Sequence, residues 1–146
     1  MNLILDAGPL GGLCSRSPRY HPFRTWVARA IASRRHQVFL HAVADFEVRR
    51  ELLRQNLLAS VERLDALRSA LVVITPSEET YLDASRFWAD ARRAGRPGAP
   101  DESIDADLII AADAASYGAT VVTENVRHFH GFVRIISPDE LIALAV

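Results

Sequence analysis

Five short apolar runs, separated by longer helix-like segments, constrain the fold of this chain more than any other feature. The first run, residues 3–5, reads LIL, and the second, residues 38–40, reads VFL. Runs without polar alternation are typical of strands buried on both faces. Their alternation with helices predicts a parallel sheet covered on both sides. The predicted strands span residues 3–5, 38–40, 71–74, 120–122 and 133–136.

The segments between these runs carry apolar residues at helical spacing, such as Phe23, Trp26 and Val27 on one stripe. The predicted helices span residues 22–34, 44–55, 57–70, 78–94, 104–117 and 138–144. The sequence GRPGAP at 95–100 predicts a break, and Gly8-Pro9 predicts a turn after the first strand. We therefore expect an α/β fold, a three-layer α/β/α sandwich with a central parallel sheet.

Composition limits the classes of protein to consider. The chain has 146 residues, which suits a single domain, residues 1–146, and 49% of them are hydrophobic. The net charge is −1, so any nucleic-acid surface must be local rather than global. All side-chain cations other than histidine are arginines. Candidate phosphate contacts in loops or at helix ends are Arg16, Arg19, Arg92, Arg93 and Arg96.

The single cysteine, Cys14, excludes an intramolecular disulfide and favours a reducing cytoplasm. The N-terminal residues lack a basic segment followed by an apolar stretch, so we expect no signal peptide. No apolar run approaches the length of a membrane span, so we expect no membrane association.

Polar residues follow two of the predicted strands, where parallel sheets bind ligands. Asp6 follows the first strand, although an aspartate there is equally typical of a local turn. Asn125 follows the fourth strand, within a Thr-Glu-Asn sequence that also suits a turn or helix cap. Asp107 shares a helical stripe with Ile104 and Ile110, so we expect it to face inward.

Two further acids have weaker signals. Asp105 lies on the neighbouring stripe and fits the ordinary preference for acids in a first helical turn. Glu47 lies within a predicted helix rich in Glu and Arg, and by itself it indicates a solvated face. Carboxylates with few histidines suit Mg²⁺ or Mn²⁺. The histidines lack zinc-type spacing, and Cys14 lacks a paired base.

The order of these motifs resembles the PIN-domain ribonucleases, the family that includes the VapC toxins. The matching elements are LILD ending at Asp6, Glu47 in the helix after the second strand, D-x-x-I-A-A from Asp107, and VVTEN ending at Asn125. The resemblance implies a PIN-like fold over nearly the whole chain. It also implies an endoribonuclease that cuts single-stranded RNA by activated-water hydrolysis.

The family's site residues carry over position by position. The resemblance implies Asp6, Glu47 and Asp107 as catalytic metal ligands, Asp105 as an accessory metal ligand and Asn125 as a catalytic polar residue. The implied cofactor is Mg²⁺ or Mn²⁺. The implied partners are an RNA substrate, a cognate antitoxin protein of a type II toxin–antitoxin pair, and a second copy in a homodimer.

This chain departs from the family pattern at position 128, where many relatives have Asp and this chain has His128. We expect His128 in an exposed loop, where it supplies no fourth negative charge. An alternative function is therefore a non-catalytic PIN-like module that binds RNA or protein. A nucleotide-binding domain is disfavoured because no G-x-G-x-x-G follows the first strand.

Overall fold

An all-parallel five-stranded sheet forms the centre of the computed structural model, which describes residues 1–95, 101–129 and 131–146. The strands are β1 (Asn2–Leu5), β2 (Gln37–His41), β3 (Val72–Ile74), β4 (Thr120–Val122) and β5 (Arg134–Ile136). Their order across the sheet is β3-β2-β1-β4-β5, and each neighbouring pair runs parallel. The expected α/β fold with a central parallel sheet is confirmed.

Helices connect the strands and cover the sheet. They are α1 (Ala7–Cys14), α2 (His21–Ser33), α3 (Ala42–Arg54), α4 (Leu58–Ala70), α5 (Glu78–Arg93), α6 (Asp101–Ser116), α7 (Val126–Phe129) and α8 (Pro138–Ile142). A 3₁₀ helix at Pro18–Tyr20 precedes α2. Among the described residues, no helix has both the length and the apolar character that crossing a membrane requires.

The predicted turn at Gly8-Pro9 is wrong, because these residues lie in the first turn of α1. Asp6 caps this helix, and its carboxylate accepts the Ala7 N–H at 2.7 Å. Pro9 fits there because the first N–H groups of a helix need no intrahelical acceptor. The predicted break at 95–100 lies outside the described residues apart from Gly95, whose φ is +63°.

The central strand β1 is the most deeply buried part of the sheet. Leu3, Ile4 and Leu5 are fully buried, because β2 and β4 flank β1 and helices cover both faces. The Asp6 N–H continues this pairing by donating to the Val122 carbonyl at 3.0 Å. Asp6 is therefore held at the carboxyl end of the sheet.

A buried chain of hydrogen bonds ties three helices together at this end of the sheet. His41 Nδ1 accepts the Val43 N–H at 3.2 Å, so Nε2 carries the proton and donates to Asp113 Oδ2 at 2.8 Å. The Thr80 hydroxyl donates to Asp113 Oδ1 at 2.7 Å. This chain of hydrogen bonds thus joins the start of α3, the start of α5 and the last turn of α6. Sequence analysis did not identify it.

Replacing Asp113 with alanine should destabilise the fold strongly. Asp113→Ala leaves the buried His41 Nε2–H and the Thr80 hydroxyl without their acceptor, which typically costs about 1–3 kcal/mol for each of the two donors. Asp83→Ala is the control, because Asp83 pairs with Arg86 on the exposed face of α5 and such pairs contribute at most about 1 kcal/mol. Urea unfolding in EDTA measures both. Equal losses for the two variants would contradict a special role for the buried chain.

Candidate active site

Donors from two directions fix the Asp6 carboxylate at the end of β1. Oδ1 accepts the Ala7 N–H, and Oδ2 accepts the Thr123 hydroxyl, both at 2.7 Å. Thr123 Oγ1 in turn accepts the Asn125 N–H at 2.9 Å. Thr123 is fully buried, whereas Asn125 is exposed. Sequence analysis missed the role of Thr123, although its position after the strand next to β1 was a usable signal.

Asp107 faces inward from α6, as its stripe predicted, and it is 7% exposed. Its Oδ2 lies 2.5 Å from His128 Nδ1. His128 belongs to α7, and only 24% of its side chain is exposed, so the prediction of an exposed loop is wrong. Position 128 therefore contacts the acid that the resemblance identifies as a metal ligand.

The carboxylates of Asp6, Glu47 and Asp107 act on one another electrostatically. Burial, reinforced by the negative charge of Asp6 and offset by His128, raises the pKa of Asp107 from its usual 3.8 to about 6. Burial and the charge of Asp6 also raise the pKa of Glu47, while Arg50 opposes that rise. Glu47 therefore lies among acids, and its interpretation as part of a solvated face does not hold.

Three acids whose charges lie close enough to raise the pKa values of Glu47 and Asp107 are a donor set that a divalent cation would stabilise. Their oxygens are the hard ligands that Mg²⁺ and Mn²⁺ prefer. In residues 1–95, 101–129 and 131–146, however, no three His, Cys, Asp or Glu side chains form a preassembled metal site. The chemistry of the set fits such an ion, whereas its present geometry is not that of a complete coordination sphere.

Asp105 lies apart from these three acids in the structure. It is exposed and lines a surface groove between α5 and α6 together with Tyr81 and Trp88. No hydrogen bond or ion pair among the described residues joins Asp105 to Asp6, Glu47 or Asp107.

The arginines suggested as phosphate contacts have different surroundings. Arg19 lies 3.8 Å from Glu124, the residue after Thr123. Arg16 lines a groove with residues of α4, and Arg93 pairs with Asp90 on α5. Arg92 lies over the Trp88 ring. Arg96 lies outside the described residues.

Comparison with known proteins gives one family and a consistent fold. The model of the PIN domain family matches residues 3–133 of this chain. No protein with curated annotation matches its sequence.

Several solved structures share the fold. A chain of Rickettsia felis VapBC2, solved with a DNA fragment from its promoter, aligns with a TM-score of 0.75 and 16% identity, covering 94% of this chain and 98% of that one. Neisseria gonorrhoeae FitAcB aligns with a TM-score of 0.74 and 21% identity, covering 93% and 97%. Mycobacterium tuberculosis VapC20, described as a sarcin–ricin loop cleaving toxin, aligns with a TM-score of 0.63 and 15% identity, covering 90% and 96%.

Removing the charge of Asp107 should stabilise the metal-free protein above pH 6. The raised pKa means that the folded state binds the proton more tightly than the unfolded chain. The free energy of unfolding therefore falls as pH rises from about 4 to about 6. Asp107→Asn removes this penalty and should raise the unfolding free energy by roughly 1–3 kcal/mol above pH 6, with little effect below pH 4. Thermal unfolding in EDTA across this pH range measures it.

Asp105→Asn is the matched control, since it makes the same change two residues away at an exposed position. It should leave the pH dependence of stability unchanged. A loss of stability in Asp107→Asn at every pH would instead mark Asp107 as a purely structural partner of His128.

Proposed function

The chain belongs to the PIN domain family, and on that premise we propose that it is a metal-dependent endoribonuclease that cuts single-stranded RNA. The observation that carries the proposal is the electrostatic influence of Asp6, at the carboxyl end of β1, on both Glu47 and Asp107. The raised pKa values of Glu47 and Asp107 mean that their ionised forms cost stability, and such costs are typical of functional sites.

Mg²⁺ or Mn²⁺ is the proposed cofactor, held by Asp6, Glu47 and Asp107. When bound, such an ion lowers the pKa of a water and neutralises charge that builds on the scissile phosphate. Asp105 stays outside this proposed set, because its side chain lines the α5–α6 groove.

The protein's own groups have distinct proposed tasks. The Thr123 hydroxyl and the Ala7 N–H hold the two Asp6 oxygens in fixed directions. His128 holds one oxygen of Asp107. Asn125 presents an exposed amide next to Thr123 and is proposed to contact the substrate. Rigid support of this kind keeps acids near one another despite their repulsion.

We also propose that the protein is the toxin of a type II toxin–antitoxin pair and forms a homodimer in the cytoplasm. Support for an antitoxin comes from structural neighbours that are VapBC and FitAB complexes. A short open reading frame beside the gene, and copurification of its product with this protein, would test the pairing. Light scattering would test the dimer.

A non-catalytic PIN-like binding module is the second candidate. The observation that favours it is His128, which occupies the position of an acid in many relatives and contacts Asp107. The presence of Asp6, Glu47 and Asp107 favours the endoribonuclease over such a binding module.

Cleavage of labelled single-stranded RNA in Mg²⁺, Mn²⁺ or EDTA tests the proposed enzyme. We expect cleavage with either ion, none in EDTA, and a rate lowered by more than about 100-fold in Glu47→Gln, beyond the effect typical of groups outside the ligand shell. Glu51→Gln is the matched control, since Glu51 lies one turn further along α3 and pairs with Arg54 in solvent. Metal-independent cleavage, or equal losses in both variants, would exclude the proposed mechanism.

Restoring an acid at position 128 should reduce the metal concentration that cleavage requires. His128→Asp adds a negative charge beside Asp107, which offsets the dehydration of a divalent ion. We expect the Mn²⁺ concentration for half-maximal cleavage to fall about tenfold. His128→Asn is the control, because it removes the imidazole without adding charge. An unchanged Mn²⁺ requirement in His128→Asp would show that position 128 does not contribute to metal binding.

A further inference from the structure

On the β2 side of the three acids, Arg50 holds an exposed positive charge next to the cluster. Its guanidinium lies 4.0 Å from the Glu47 carboxylate and 5.2 Å from the centroid of the Phe46 ring. The Arg50 side chain is 62% exposed and Phe46 is 60% exposed. An exposed ion pair at this distance adds little stability, so the pair leaves Arg50 available to a ligand.

On the β4 side, Arg19 repeats this arrangement. It lies 3.8 Å from Glu124, and its guanidinium lies 5.4 Å from the Tyr20 ring centroid. The Tyr20 ring packs on Gly12 so closely that a Cβ at Gly12 would come within 2.6 Å of it. Close packing on Gly12 therefore fixes the position of the Tyr20 ring that lies beneath Arg19.

The order of the strands puts these two arginines on opposite sides of Asp6. Arg50 lies on α3, which follows β2, and Glu124, the partner of Arg19, follows β4. β2 and β4 flank β1, which ends at Asp6. Neighbouring strands are about 4.8 Å apart, so the ends of β2 and β4 are about 10 Å apart along one edge of the sheet.

Many of the other described arginines have partners other than Asp6, Glu47, Asp107 and Glu124. Arg49 and Arg68 bind the buried Asp45. Three arginines pair with an acid on their own helix: Arg54, Arg86 and Arg93. Four donate to backbone carbonyls: Arg24, Arg35, Arg63 and Arg134.

We propose that Arg19 and Arg50 bind phosphates of one RNA strand laid across Asp6, and that the exposed Phe46 ring stacks on a base of that strand. The three acids repel a polyanion, so a strand crossing them needs a cation on each side. Stacking on an aromatic ring is open to any base, but only where the base is unpaired. This inference rests on the proposed function and assigns its substrate-positioning residues.

Fluorescence anisotropy measures binding of a short fluorescein-labelled oligouridylate to the full chain in EDTA. Repeating the measurement over a series of salt concentrations separates phosphate contacts from base stacking. The logarithm of the association constant falls as the logarithm of the salt concentration rises. Arg19→Gln and Arg50→Gln should each make this slope less steep by about 0.7, and together by about 1.4. Phe46→Ala should weaken binding at least about fivefold without changing the slope, and Phe46→Trp should restore it.

Two controls match these changes. Arg134→Gln removes the same charge at the start of β5, at the opposite edge of the sheet. Leu53→Ala removes an exposed apolar side chain two turns further along α3. Both should leave affinity and slope unchanged. A duplex of the same length should lose no affinity in Phe46→Ala.

Cleavage kinetics in Mn²⁺ distinguish failure of this inference from failure of the proposed function. We expect Arg19→Gln and Arg50→Gln to raise KM while kcat stays within about twofold. If the wild type cleaves RNA but these variants resemble Arg134→Gln in slope and KM, the inference is wrong and the enzyme stands. If the wild type cleaves no RNA but the slope changes hold, the strand-binding surface stands and the enzyme does not.

Discussion

The hydrogen bond from the Thr123 hydroxyl to Asp6 Oδ2 is the interaction on which the rest of the candidate site depends. It joins the ends of β1 and β4, whose pairing is continued by the bond between the Asp6 N–H and the Val122 carbonyl. The other Asp6 oxygen starts α1 by accepting the Ala7 N–H. Asp6 therefore lies where β1 ends and α1 begins, and the hydrogen bonds that its buried carboxylate accepts fix the orientation of that carboxylate.

Repulsion among the acids is tolerated because the scaffold holds them from separate elements. Glu47 comes from α3 and Asp107 from α6, and the buried His41–Asp113 bond links the start of α3 to the last turn of α6. His128 and Arg50 supply partial compensation of charge from α7 and α3. Burial, together with the negative charge of Asp6, still raises the pKa of Asp107 in the metal-free protein.

The elements that could be predicted were those whose apolar residues follow a regular spacing along the sequence. Apolar runs of three or four residues predicted the five strands, and a helical stripe placed Asp107 inside. Glu47 had no such signal, because a glutamate between arginines has the same pattern in solvent as beside other acids. Thr123 and His128 were missed as partners of Asp6 and Asp107 because their bonds span 117 and 21 residues. No sequence period encodes a contact between elements that meet only after the sheet has formed.

The central place of β1 has a consequence for the order of synthesis. β1 is made before the other four strands, yet its neighbour β4 begins at Thr120, so one side of β1 stays unpaired until Thr120–Val122 has been made. At ordinary translation rates, roughly ten seconds separate the appearance of Asp6 from that of Thr123. Before Asp107 and then Thr123 are made, Asp6 lacks the neighbouring acid of α6 and the hydroxyl that binds its Oδ2. The acids of each nascent chain therefore assemble only after both Asp107 and Thr123 have been made.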